Sequence, residues 1–228
     1  MNEKATQVKV NQVEKTAIIS LIQRMLFLFT KRTFDIFVSL IGCLFLLPIS
    51  IIVKIVNMIS GDFKSIFYKQ KRIGKDGKFI YIYKYRSMVP NADEVLKQML
   101  KKKKYKEEWD KFQKFENDPR ITKIGKILRK TSLDELPQFI NVLKGDMSLI
   151  GPRPLVEGEL DAHNGDHEIY EKIRPGITGW WGCNGRSATD YDERLKLEYY
   201  YVLNQSLLLD IKCFFKTIDA VLGKKGAK

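Results

Sequence analysis

The chain has 228 residues, 44% of them apolar and 29% charged. Those proportions exclude a disordered chain and a polytopic membrane protein, and the length suits one catalytic domain with a small accessory element. A formal net charge of +13 points to anionic partners: phosphorylated substrates, acidic headgroups or nucleic acid.

Residues 17–29 (AIISLIQRMLFLF) are apolar but interrupted by Gln23-Arg24, which reads as a helix lying in a membrane interface or as a core helix. From Ile36 to Val53 no residue is charged, a run at the lower limit for crossing ~30 Å of hydrocarbon. It is followed by Lys54 and lacks a small-residue cleavage site, so it is not a cleavable signal. Arg24, Lys31 and Arg32 precede it, and Lys54, Lys64, Lys69, Lys71 and Arg72 follow. Cations on both flanks place both ends on one side of a membrane. Pro48 removes a helical hydrogen bond and frees the carbonyl of Leu44, which Ser50 or Ser39 would help to satisfy. A helix that bends at Pro48 and returns fits these signals, and a short transmembrane anchor is the alternative.

Ser65–Ser87 reads as a hairpin, two aromatic-rich runs flanking Gly74-Lys75-Asp76-Gly77. Its second strand places Ile80, Ile82, Lys84 and Arg86 on one face and Phe79, Tyr81, Tyr83 and Tyr85 on the other. A helix is predicted from Ala92 to about Phe115, with Asn91 and Glu94 as a capping box. Lys101–Lys104 are a solvated face that attracts anionic lipid by about 1 kcal/mol per lysine. Pro137 suits the start of a short helix and Gly145 its end. Pro152 and Pro154 stiffen the loop displaying Arg153. Residues 174–186 (RPGITGWWGCNGR) form a glycine-rich aromatic loop, and Tyr191–Val221 a final helical pair. Cys43, Cys183 and Cys213 show no CxxC spacing, which argues against disulfides or a thiolate zinc site and for a reducing compartment. His163 and His167 flank Asn164-Gly165-Asp166, a turn that no thiolate joins, and read as surface histidines, with a metal site as the alternative.

Asp93-Glu94 is the acidic pair expected to carry chemistry. Carboxylates in a first helical turn stay anionic, and a plain cap is the structural alternative. Asp93 suits nucleophilic attack on phosphorus, with Mg²⁺, held by Asp93 and Glu94, neutralising a pyrophosphate electrophile. Arg86, Arg120, Arg153 and Arg174 recur beside prolines or at a strand end, as rigid bidentate phosphate ligands do. Ser132-Leu-Asp-Glu135 has capping-box spacing, and Asp134 or Glu135 alternatively orients an arginine. Trp180-Trp181 suit a core, a membrane interface or base stacking.

These stretches resemble the bacterial sugar transferase family, the monotopic phosphoglycosyl transferases that initiate capsule, exopolysaccharide and O-antigen assembly. The matching segments are KRTFDIFVSL, QKRIGKDGKFIYIYKYRSM, Asp93-Glu94, NDPRITKIGKILRKTSLDELPQFINVLKGDMSLIGPRP, RPGITGWWGCNGRS and ERLKLEYYYVLNQSLLLDIKCFFKTI. They cover about residues 31–220, in order. Trp181-Gly182-Cys183 departs from the bulkier Trp-Gln-Val type.

The resemblance implies a mainly helical α+β fold: a re-entrant helix bent near Pro48, a β-hairpin and a helical cytosolic domain with surface-lying amphipathic helices. It divides the chain into an interfacial extension (1–30), a re-entrant helix (31–60), a catalytic domain (61–222) and a basic tail (223–228). It implies a UDP-sugar donor, undecaprenyl phosphate as acceptor and Mg²⁺ as cofactor. Asp93 would be the nucleophile, Glu94 the metal ligand, and Arg86, Arg120 and Arg153 the donor-phosphate ligands, supported by Lys84, Asp134, Glu135, Arg174 and Arg186. The implied location is the cytoplasmic face of a bacterial inner membrane, in contact with the bilayer, and a homodimer is compatible with it. Nucleic acid is not an expected partner, since no helix-turn-helix, zinc-finger or RNA-binding aromatic motif is present. A membrane-tethered polyanion binder or an inert assembly scaffold would be indifferent to Asp93.

Overall fold

The computed structural model describes residues 2–112, 115–185 and 189–222. They form a mainly helical α+β fold in which a long apolar N-terminal helix runs against a domain of short helices and two small sheets. The expected basic tail, 223–228, lies outside the described residues.

Helix α1 (Asn2–Ile59) is continuous through Pro48 and across residue 30. Its segment Ile18–Ile59 contains an 18-residue window with a mean hydropathy of 2.8 and is long and apolar enough to cross a membrane. One stripe is nonetheless buried: Asp35, Ser39, Leu46, Val53 and Asn57. That spacing of four or seven residues lines one helical face over roughly 33 Å. Phe37, Leu40, Leu44, Leu47, Ile51 and Ile55 occupy the outer face and stay exposed. The buried carboxylate of this apolar helix finds its partners in the domain. Asp35 accepts from the Ser148 hydroxyl at 2.7 Å and the Leu149 N–H at 3.2 Å. Gly42 exists because a Cβ there would meet the Phe139 ring at 2.5 Å.

The structure gives partners to the cations of the leading flank and corrects one reading of this helix. Lys31 pairs with Asp210 at 2.7 Å, Arg32 donates to the Val142 and Leu143 carbonyls, and Arg24 donates to Gln205. The leading flank's cations are therefore engaged with the domain that follows the helix. Ser50 does not serve the Pro48 bend as anticipated. Its Oγ lies 2.7 Å from the Tyr85 hydroxyl, which also donates to the Leu46 carbonyl at 3.2 Å. Ser39 Oγ is buried with no partner among the described residues.

Strands β1 (Phe67–Ile73) and β2 (Phe79–Tyr85) form the expected antiparallel hairpin. Asp76 (φ 56°, ψ 34°) and Gly77 (φ 70°) take left-handed geometry, the type I′ pattern that matches strand twist. On the outer edge of β2 the Asn141 side chain stands in for a strand. Its Nδ2 donates to the Tyr81 carbonyl at 2.7 Å and its Oδ1 accepts from the Tyr83 N–H at 2.9 Å.

The single predicted helix from residue 92 is two, α2 (Ala92–Met99) and α3 (Lys103–Phe112). Tight bonds from Lys101 N–H to Gln98 and Lys102 N–H to Met99 close the first, as in a 3₁₀ terminus. Asn91 makes no side-chain cap, so the capping box is absent. α4 (Lys123–Lys130) is capped by Thr122, whose Oγ accepts from Gly125 N–H at 3.0 Å. α5 (Gln138–Lys144) starts after Pro137 and ends at Gly145 (φ 88°), as anticipated. The parallel pair β3 (Ser148–Ile150) and β4 (Gly176–Thr178) frames the loop holding α6 (His167–Tyr170). α7 (Trp180–Asn184) precedes the final pair, α8 (Tyr191–Leu203) and α9 (Leu207–Leu222). The main core joins β2, α5, β3, α8 and α9 through Ile82, Val142, Ile150, Tyr201 and Cys213.

Candidate active site

The core-facing side of the hairpin carries its chemistry. Strand alternation puts Ile80, Ile82 and Lys84 on that side, and register sets Arg72 opposite Ile80 and Tyr68 opposite Lys84. Ile82 is buried in the core, so Lys84 emerges at the open end beside the turn Leu133–Glu135. Ser132 there is left-handed (φ 56°) and makes no cap, so the expected capping box is not formed. Leu133 and Leu136 instead pack on the cluster of Leu46, Tyr85 and Leu128, which pins the turn and displays Asp134 and Glu135. Glu135 accepts from Lys84 Nζ at 2.9 Å. Burial pushes the Asp134 carboxyl up to about 6, the charge of Glu135 adds to the rise, and Lys84 and Arg129 oppose it. Arg129 donates from Nε to Ser87 Oγ at 2.9 Å. Sequence reading passed over Arg129, although it stands five residues before Asp134 in the same motif. Gly125 lets α4 approach this strand end, since a Cβ there would collide with the Ser87 carbonyl.

The other expected arginines take different positions. Arg86 is clamped by Asp62, with contacts of 2.7 and 3.1 Å, and donates from Nε to the Ser65 carbonyl. Arg120 is buried, forked onto Asp118 at 2.7–3.2 Å and set over Trp109 and Phe115. Arg174 donates to the Gly145 carbonyl at 2.7 Å, at the end of α5. Arg153 is exposed and directed toward Trp181, 5.9 Å from its ring. Arg186 lies outside the described residues. The structure thus brings Lys84, Asp134, Glu135 and Arg129 together, and holds Arg86, Arg120 and Arg174 on internal acceptors.

Asp93 and Glu94 sit exposed in the first turn of α2. Neither side chain makes a hydrogen bond or ion pair among the described residues. The segment before them is tied down by Val89 N–H donating to the Arg120 carbonyl at 2.8 Å.

Residues 26–224 match the bacterial sugar transferase family. The chain belongs to that family. It is 46% identical over 200 residues to the UDP-galactose-lipid carrier transferase of Erwinia amylovora, covering 87% of this chain and 42% of that protein. The undecaprenyl-phosphate galactose phosphotransferase of Salmonella typhimurium matches at the same identity and the same coverage, 87% and 42%. The exopolysaccharide production protein ExoY of Sinorhizobium fredii is 41% identical, covering 87% of this chain and 88% of that protein. The chain therefore spans less than half the length of the first two relatives and most of the third.

In this sugar transferase the Arg153 loop is built with equal care. Arg72 Nη1 donates to the Pro154 carbonyl at 3.3 Å, and Ile73 N–H to the Leu155 carbonyl at 2.8 Å. The loop therefore docks at the turn end of the hairpin. From Ile80 to Lys84 is roughly 13 Å at ~3.3 Å per residue, so Arg153 and the acidic pair mark opposite ends of one hairpin face. Trp181 stacks over Arg194 at 4.8 Å and donates to Thr189 at 2.8 Å. Trp180 lies against Tyr200 and the main core. His167 is no metal ligand here: its ring bridges Asp161 at 2.8 Å and Glu171 at 2.7 Å. Among the described residues no group of three or more His, Cys, Asp or Glu is arranged to hold a metal.

Proposed function

We propose that this protein transfers a sugar-1-phosphate from a UDP-sugar to undecaprenyl phosphate, releasing UMP, at the first membrane step of surface polysaccharide or glycoconjugate synthesis. The observation that carries the reading is the half-buried acidic pair Asp134-Glu135 beside Lys84 and Arg129. A carboxylate in that position is desolvated and faces cations able to hold the phosphate it attacks. The names of the Erwinia and Salmonella relatives support the lipid-carrier acceptor and a nucleotide-sugar donor.

In the first step a carboxylate oxygen of Asp134 bonds to the β-phosphorus of the donor. The bond from that phosphorus to the bridging oxygen breaks, and UMP leaves with the electron pair. In the second, an oxygen of undecaprenyl phosphate bonds to the same phosphorus and the carboxylate departs, which gives ping-pong kinetics. Lys84 and Arg129 hold the transferred phosphoryl group, and Arg153 contacts the far end of the donor. Arg86 and Arg120 act through the backbone they brace, Arg86 by fixing the exit of α1.

Mg²⁺ fits this donor set without an all-protein cage, because it is usually held by one or two carboxylates and the substrate's own phosphates. Glu135, next to the nucleophile, would hold it. When bound it supplies neutralisation of the pyrophosphate charge.

Asp93 is the second candidate for the nucleophile, favoured by its unpaired carboxylate at a braced helix start. The experiment that tests both is mass spectrometry of membrane-reconstituted protein incubated with Mg²⁺ and a panel of UDP-sugars, with UMP release measured in parallel. A phosphosugar adduct on residue 134 is expected. An adduct on residue 93 would move the nucleophile there, and UMP release without any adduct would end the covalent mechanism.

The proposed location is the cytoplasmic face of the inner membrane. The exposed apolar face of α1 and the exposed Leu208, Ile211, Phe215 and Ile218 of α9 support lipid contact. A bend of α1 that returns to the same face, and a homodimer, belong to the same proposal.

A further inference from the structure

The loop Pro152-Arg153-Pro154 is held by its own backbone at both ends of one residue. Arg153 N–H donates to Glu198 Oε1 at 3.1 Å, and the Arg153 carbonyl accepts from the Tyr170 hydroxyl at 2.9 Å. Both supports come from outside the loop, Glu198 from the middle of α8 and Tyr170 from α6. Glu198 is 1% exposed, and its Oε2 has no partner among the described residues. Burying a carboxylate in that way costs several kcal/mol relative to an apolar residue of similar size.

Burial raises the Glu198 pKa to about 7 and outweighs Arg153 and Arg194, which favour its charged form. Arg194, one turn away on α8, has its own partner in Glu159 at 3.1 Å, while its Nε and Nη2 are buried without one. Arg72 likewise engages Glu159, at 3.8 Å. Among the described residues, the one hydrogen bond that Glu198 accepts comes from the Arg153 N–H. Two flanking prolines already restrict that backbone, so fixing its N–H and carbonyl sets the direction of the Cα–Cβ bond, and the guanidinium lies 5.9 Å from the Trp181 ring.

We infer that Glu198 is a positioning residue for the donor substrate, orienting Arg153 through its backbone N–H, with Tyr170 as the second support. This rests on the reading of Arg153 as a contact for the nucleotide-sugar. Misplacing a binding group by about 1 Å suffices to lower activity up to a hundredfold.

The test is steady-state UMP release against UDP-sugar concentration for Glu198→Ala, Glu198→Gln, Tyr170→Phe, Arg153→Ala and Glu198→Ala/Arg153→Ala, with thermal melting to verify folding. Glu198→Ala is expected to raise the donor KM at least tenfold while kcat falls far less. Glu198→Gln, which keeps an acceptor oxygen, should recover most of the loss, and Tyr170→Phe should shift KM in the same direction without opening a cavity. Because Glu198 acts through Arg153, the double variant should be no worse than Arg153→Ala. If Glu198→Ala lowers melting temperature but leaves KM unchanged, or if the two losses multiply, the inference is overturned. An unchanged KM in Arg153→Ala would instead remove the reading of Arg153, and the inference with it.

Discussion

Lys84 and Glu135 form a 2.9 Å ion pair between a strand end and a turn 51 residues away. The pair holds the turn that carries Asp134 against the hairpin, with Lys84 and Arg129 close enough to act on the Asp134 carboxyl.

Asp134→Asn should reduce UMP release by at least about three orders of magnitude, as removal of a covalent nucleophile does. Asp93→Asn should retain most activity. Quench-flow measurement of UMP on both variants checks this ordering, and the reverse ordering would relocate the chemistry to α2.

The raised value of Asp134 sets a pH dependence. Its folded value, about 6, lies above its ordinary 3.8, so the folded state binds a proton more tightly than the unfolded chain. Stability is then lost as pH rises from about 4 to 6, while the nucleophilic form appears over the same interval. Activity should show an acid limb near pH 6. Asp134→Asn should be more stable than the parent at pH 7, by about 1–3 kcal/mol, with the difference vanishing near pH 4. Urea melts at both pH values measure it.

Lys84→Met should leave Glu135 without its cation in a half-buried site. A loss of about 1–3 kcal/mol in stability and a fall in kcat larger than the change in donor KM are expected. Calorimetry and steady-state kinetics on the same preparation separate the two effects.

His167 supplies a titration far from the site. Its hydrogen bonds to Asp161 and Glu171 raise its pKa above the ordinary 6.5. Its stabilising contribution is fully present below the unfolded value and disappears as pH rises through the raised folded one. The ring is 49% exposed, so the contribution stays below about 1 kcal/mol. The melting temperature of His167→Gln should fall short of the parent at pH 5.5 and equal it at pH 8.5.

Gly42→Leu tests the docking of α1. A side chain there meets the Phe139 ring, and overpacking of this kind costs about 1–3 kcal/mol. Protease resistance of the junction between α1 and α5 should drop while membrane extraction still requires detergent.

The sequence by itself determined the apolar helix, the hairpin with its Asp76-Gly77 turn, the short helix between Pro137 and Gly145, and the family. Each depends on neighbours in the chain: hydropathy, turn chemistry or a contiguous motif. Only the tertiary structure decided which carboxylates are desolvated and which arginines are already engaged. Asp93-Glu94 and Asp134-Glu135 look alike as dipeptides, and burial beside Lys84 distinguishes them. Arg86 and Arg120 look like free cations until Asp62 and Asp118 appear opposite them. Asp62 and Lys84 reach their partners across 24 and 51 residues, so local pattern carries no record of those pairs, whereas the Asp118–Arg120 fork is two residues long and only its burial is tertiary.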